Sequence, residues 1–172
     1  MERDRLAATI AELRTGFDIG FDIKVKKDLV LNEWYNLFHL TKTNENCCND
    51  GDRIPGVWFK RDHSGLAMYV SCTFKHSQPQ TKVYKMAVGK WYRVRILSLI
   101  SLDNSDIQGY VDDKHVWTIK GPRKGLLVDW INYESVRICQ SDPWHRALDE
   151  DVAEMYTMTV PELIGIGRIQ GC

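Results

Sequence analysis

The sequence predicts an all-β protein, a single antiparallel β-sandwich. Three observations predict it. Apolar and polar residues alternate through Phe17-Asp18-Ile19-Gly20-Phe21-Asp22-Ile23-Lys24-Val25, a period of two that sends one face of a strand into a core and the other into water. Further short apolar stretches recur at intervals of roughly ten residues, separated by turn chemistry, the rhythm of a sandwich or barrel. Helical periodicity is weak everywhere. A chain of 172 residues, 44% hydrophobic and 27% charged, is long enough to bury a core and usually forms one domain. No repeat or linker divides it, so residues 1–172 read as one sandwich domain with its core over 12–160 and 161–172 as a tail or last strand.

The elements follow in order. Residues 1–14 read either as a short amphipathic helix, with Leu6, Ile10 and Leu13 spaced for one face, or as an edge strand. Phe17–Val25 is a strand with one buried and one wet face. Leu29–Leu40, rich in Trp, Tyr, Phe and Leu, reads as a longer and mostly buried strand. Strands are then placed near 54–60, 66–74, 81–87, 91–100, 107–112, 115–120, 134–140 and 153–160. Asp50-Gly51, His63-Ser64-Gly65, Gln78-Pro79, Gly89-Lys90 and Asp103-Asn104 connect them, and Asp112-Asp113 closes a tight hairpin. Pro55 suits a strand start, where no ladder donor is needed. Trp34 and Trp91 sit inside strand patterns and read as core, while the faces of Trp58 and Trp117 stay open.

Charge and composition exclude several functions. Lysine plus arginine and aspartate plus glutamate both count 23, which removes the usual electrostatic case for nucleic acid or an anionic membrane. No apolar run reaches the roughly 18 residues of a membrane span, and the first 14 residues lack the apolar centre of a signal peptide. The five cysteines, Cys47, Cys48, Cys72, Cys139 and Cys172, have no zinc spacing. Cys47 and Cys48 read either as exposed loop thiols or as one partner of a disulfide to Cys72 or Cys139.

Several stretches together resemble the concanavalin A-like jelly-roll modules related to laminin G domains of animal extracellular proteins. They are FDIGFDIKVK and LNEWYNLFHLT, GDRIPGVWF, VGKWYRVRI, IQGYVDDKHVWTIK and SVRICQSDPWHRALDEDVAEMYTMTV, spread over residues 12–160. The chain departs from the family pattern at Cys139-Gln140, where a tyrosine-like residue is expected, and at Asp149-Glu150-Asp151, where a glycine is usual. The resemblance implies two stacked sheets with a concave and a convex side, an extracellular or secreted setting, and binding or adhesion more than catalysis.

The expected ligand is a carbohydrate or glycoprotein on the concave face. Trp58 and Tyr69 would stack on sugar rings, and Asn44, Asp52 and Arg53 would hydrogen-bond hydroxyls. Trp144 and His145, in the Ser141–Trp144 turn and just beyond it, are further ligand candidates. The DGDRIP stretch has a structural reading as well, a corner in which Asp50 or Asp52 holds Arg53. A protein–protein adhesion or homodimer module is the alternative, through a sheet edge or an unpaired cysteine. An enzyme is the third reading, glycosidase-like or acting on a small hydrophobic substrate. The carboxylates Asp149, Asp151 and Glu154 read DxDxxE, one methylene short of the paired glutamates of the related glucanases, and fall in an acidic turn. The five histidines, His39, His63, His76, His115 and His145, form no metal or base motif. No cofactor is expected, with calcium left open by the oxygen-rich loop 43–52.

Overall fold

The computed structural model describes residues 6–13, 16–43, 49, 51–73, 79–99, 106–121, 133–139, 146–147 and 152–159. They form twelve strands: β1 (Leu6–Leu13), β2 (Gly16–Val25), β3 (Trp34–Thr41), β4 (Gly56–Asp62), β5 (Gly65–Cys72), β6 (Gln80–Met86), β7 (Tyr92–Leu99), β8 (Ile107–Val111), β9 (Lys114–Ile119), β10 (Tyr133–Cys139), β11 (Arg146–Ala147) and β12 (Ala153–Thr159). A seven-stranded sheet runs β1-β10-β3-β4-β5-β6, with β11 also joined to β3, and a five-stranded sheet runs β12-β2-β7-β8-β9. Every pairing between these strands is antiparallel except that of β11 with β3, and Leu31 adds an isolated parallel bridge to Arg61. The edges β6 and β9 approach one another, and Gln80 Nε2 donates to the Lys120 carbonyl at 3.0 Å.

The alternation in β2 does what its pattern dictates. Phe17, Ile19, Phe21, Ile23 and Val25 are buried between the sheets. They share one core with Tyr92, Val94 and Ile96 of β7 in their own sheet, and with Phe38, Leu40, Val57, Phe59, Met68 and Val70 from the other sheet. Phe21 meets Phe38 edge-on across the interface, with ring centroids 5.7 Å apart. Each such side chain contributes about 1.5–3 kcal/mol on leaving water. Trp117 belongs to this core, lying over Gly109, where an added Cβ would stand 2.1 Å from the indole.

Several expectations resolve or change. Residues 6–13 are strand, not helix, and take the edge of the seven-stranded sheet by pairing with β10. The long buried strand predicted from Leu29 begins only at Trp34. Asn32 turns the chain there with φ 63°, a left-handed conformation that asparagine tolerates better than most residues, and its N–H is taken by the Arg61 carbonyl at 2.8 Å. Val30 and Leu31 are consequently exposed. The Asp112-Asp113 hairpin forms as expected, with both residues at positive φ (49° and 63°) and the Arg93 N–H capped by Asp112 Oδ1 at 3.1 Å.

Two core expectations are corrected. Trp91 precedes β7 rather than lying within it and is 36% exposed, with Lys24 Nζ 5.2 Å from its ring centroid. Trp34 is half-buried on the outward face of β3. Cys72 is a free thiol inside the core, so the disulfide to Cys72 is absent, and burial pushes its thiol far up from its ordinary value. The partners considered for Cys139 lie outside the described residues.

Candidate functional site

Strand β3 carries a one-residue bulge. Asn36 pairs with Trp58 and Phe38 with Val57, so Leu37 is extra. The insertion lets Leu37 and Phe38 both enter the core and rephases the strand. Trp34 and Asn36 before it, and His39 and Thr41 after it, then lie on the outward face. On β4 the core side chains Val57 and Phe59 leave Trp58 and Lys60 outward, and on β5 Met68 and Val70 leave Ala67, Tyr69 and Ser71 outward.

Registers align these residues in rows across four strands. One row is Trp34, Lys60, Ala67, Lys85; the next is Asn36, Trp58, Tyr69, Val83; the third is His39, Gly56, Ser71, Thr81. Small residues sit beside large ones in these rows. Trp58 lies across Gly56, where a Cβ would fall 1.9 Å from the ring. Its ring is 4.8 Å from the Arg53 guanidinium carbon and 5.8 Å from the His39 ring. Arg53 Nη1 in turn donates to Ser71 Oγ at 3.1 Å, and Thr81 Oγ1 to the same oxygen at 3.0 Å. Trp58 is only 3% exposed, although it lies outside the core. Trp34 meets Tyr69 edge-to-face at 4.6 Å, and Lys60 Nζ stands 5.0 Å from the Trp34 ring centroid. Trp34, Lys60 and Tyr69 are half-buried, and Val83 is 48% exposed.

Electrostatics follow from these neighbours. The Tyr69 hydroxyl is pushed above its ordinary value by burial, then by the Asp62 charge. Asp62 is held below the usual carboxylate range by the Ser64 hydroxyl and N–H, assisted by Lys85 and Lys60. Asn36 is fully buried. Its Nδ2 donates to the Phe38 and Val57 carbonyls at 3.4 and 3.3 Å, and its Oδ1 accepts no hydrogen bond among the described residues.

Of the residues expected to bind ligand, Arg53, Trp58 and Tyr69 come together here. Asp52 does not join them as a presented carboxylate. It is fully buried, one oxygen accepting from the Thr43 hydroxyl and the other from the Asn49 N–H at 2.7 Å, while His39 Nε2 contacts its carbonyl. Asp52 therefore organises the 49–53 corner. Ile54 N–H to the Leu40 carbonyl (2.9 Å), Leu40 N–H to the Pro55 carbonyl (3.0 Å) and Thr73 N–H to the Arg53 carbonyl (3.0 Å) complete that corner. Arg53 is held by Ser71 and Trp58, and Asp50, the other carboxylate expected to hold it, lies outside the described residues. Asn44, Trp144 and His145 lie outside the described residues. Trp34, Lys60 and Asn36 were not anticipated. The alternation in Gly56–Asp62 already sent Lys60 outward with Trp58, but the bulge hid Trp34 and Asn36 inside an apparently continuous apolar run.

The outward face of the five-stranded sheet is built differently. Asp18 and Arg95 form a bidentate pair at 2.8 and 2.6 Å. Arg93 reaches Asp22 at 3.3 Å, and Glu154 reaches Lys24 at 2.9 Å and Lys26 at 3.5 Å. The Lys24 hydrogen bond leads in holding Glu154 below its ordinary value. Glu154 lies in β12, not in a turn, and a carboxylate kept ionised this way is ill suited to donate a proton to a glycosidic oxygen. Asp149 and Asp151 lie outside the described residues. Among the described residues no group of three or more His, Cys, Asp or Glu side chains is placed to hold a metal.

No family model matches the sequence, and no curated protein does. Solved structures match the fold. A native heptameric SAP-like pentraxin from Limulus polyphemus aligns with 90% of this chain and 67% of its own at TM-score 0.57 and 14% identity. The binding domain of botulinum neurotoxin DC, solved in complex with SialylT, aligns with 86% of this chain at TM-score 0.53 and 16% identity, and this chain covers 31% of it. Alginate lyase Aly36B, as a mutant in complex with an alginate tetrasaccharide, aligns with 86% of this chain and 68% of its own at TM-score 0.54 and 11% identity. At these identities the likeness shows the fold alone, a concanavalin A-like jelly-roll β-sandwich.

Proposed function

We propose that this chain is a glycan-binding module that uses the outward face of its seven-stranded sheet. The observation that carries the reading is the half-buried corner of Trp34, Tyr69 and Lys60 beside Val83. Partly exposed aromatic rings offer apolar faces to sugar C–H groups, and neighbouring polar groups orient the hydroxyls. Trp58 stands beside Tyr69 in the neighbouring row and carries Arg53 over its ring. Two of the similar folds belong to proteins solved with SialylT and with an alginate tetrasaccharide, which favours a sugar over a peptide as the ligand. An extracellular setting and kinship with laminin G-like modules, suggested by the sequence stretches, are part of the same proposal.

The test is a carbohydrate array probed with the native protein, Trp34→Ala and Tyr69→Ala. Binding by the native protein that falls at least tenfold, about 1.4 kcal/mol, in both variants supports the reading. Trp91→Ala, which removes an exposed ring elsewhere on the sandwich, is expected to bind like the native protein. Equal binding by all four proteins would place the site off this face.

A further inference from the structure

We propose that the Trp34–Tyr69 corner selects acidic glycans, carrying carboxylate or sulfate, and that Lys60 makes the selection by leaving the Trp34 ring. The inference rests on the glycan-binding reading above. Lys60 Nζ stands 5.0 Å from the centroid of the Trp34 ring, and Tyr69 meets that ring edge-to-face. A sugar that stacks on this indole face must move the ammonium first.

The neighbouring cations are already committed. Arg61 pairs with Asp28 at 3.2 Å, and Lys85 lies 4.0 Å from Asp62 and donates to Ser64 Oγ. Among the described residues Lys60 has no ion pair, and its row, Trp34, Lys60, Ala67, Lys85, holds two ammonium groups and no carboxylate. Asp62 faces this pair from the end of β4; Ser64 and Lys85 bind its carboxylate, and Lys60 adds only a longer-range attraction, the smallest of those acting on it.

The two classes of sugar then meet different costs. A neutral sugar must lift the ammonium off the indole and returns only hydroxyl contacts. At a partly exposed site that contact is worth about a two- to fivefold change in affinity. An acidic sugar draws the ammonium into a charge-assisted hydrogen bond, roughly twice as strong as a neutral one, and uncovers the ring in the same movement. The ring and the cation thus act in sequence on one ligand.

Calorimetric titration with cellohexaose, a galacturonate hexamer and a heparin hexasaccharide tests this in the native protein, Lys60→Gln, Lys60→Arg and the distant control Lys114→Gln. The native protein is expected to bind one or both acidic oligomers at least about tenfold more tightly than cellohexaose. The uronate and sulfate arms show which anion it takes. Lys60→Gln is expected to lose about tenfold for the acidic ligand and to gain two- to fivefold for cellohexaose. Lys60→Arg keeps the preference, and Lys114→Gln changes neither. Native binding of cellohexaose as tight as that of the acidic oligomers, or a Lys60→Gln variant that shifts both classes alike while keeping the native thermal midpoint, overturns the selection and leaves the glycan reading standing. Native protein that binds none of the three at millimolar concentration overturns the glycan reading itself.

Discussion

The sandwich has two outward faces that share one core and solve the problem of a wet surface in opposite ways. On the five-stranded sheet, charges stand opposite their complements: Asp18 with Arg95, Asp22 with Arg93, and Glu154 with Lys24 and Lys26. Little is left over for a ligand to satisfy. On the seven-stranded sheet the outward positions alternate large side chains with Gly56, Ala67 and Ser71, and the Trp58 ring folds over Gly56. The result is a second apolar layer outside the core, with Trp58 almost as hidden as a core residue and Trp34 and Tyr69 half-open beside it. Self-cancelling ion pairs make an inert surface. Rings set beside small residues make one with unspent contact area.

The comparison can be broken experimentally, beginning with the largest effect. Trp58→Ala is expected to cost about 3 kcal/mol or more in urea unfolding, near the range for a buried tryptophan, although the residue is on an outward face. A cost as small as that of a surface ion pair would erase the distinction. Gly56→Ala should cost about 1–3 kcal/mol, because its Cβ would overlap the Trp58 ring and the ring must move. The same measurement on Val88→Ala, an exposed side chain between β6 and β7, sets the scale for a change that meets no ring.

On the charged face, Arg95→Ala should cost less than about 1 kcal/mol, and most of that difference should vanish in molar salt. The smallest effect concerns acid. Glu154 has a lowered folded-state pKa, so its contribution is present above its unfolded value near 4.5 and is lost as pH falls through the folded value. Thermal midpoints measured from pH 6 down to pH 3 should fall less steeply in Glu154→Gln than in the native protein. Identical slopes would mean that the lysine pairing contributes nothing.

Much of the fold is legible because its signals are local. The period-two pattern of Phe17–Val25 fixes a strand and its buried face at once, and Asp112-Asp113 fixes a hairpin. Residues 6–13 stayed ambiguous because a short helix gathers positions 6, 10 and 13 on one face, while a run this short also suits an edge strand. Pairing with β10, far away in sequence, decides between them, and no local signal carries that. The site was half legible. Trp58 and Tyr69 could be chosen as rings within short strands, and Arg53 as the charge in the turn that leads into β4. Trp34 could not, because the Leu37 bulge breaks the alternation where it matters, and Asp52 looked presented because its partners, Thr43 and Asn49, are supplied by the folded corner.

The thiol of Cys72 sits sealed between the sheets in its protonated form. An alkylating reagent attacks the thiolate, so it can reach this sulfur only in molecules whose two layers have parted. Its modification rate therefore counts openings of the native protein, and the sandwich carries in its own interior a clock for how often it breathes.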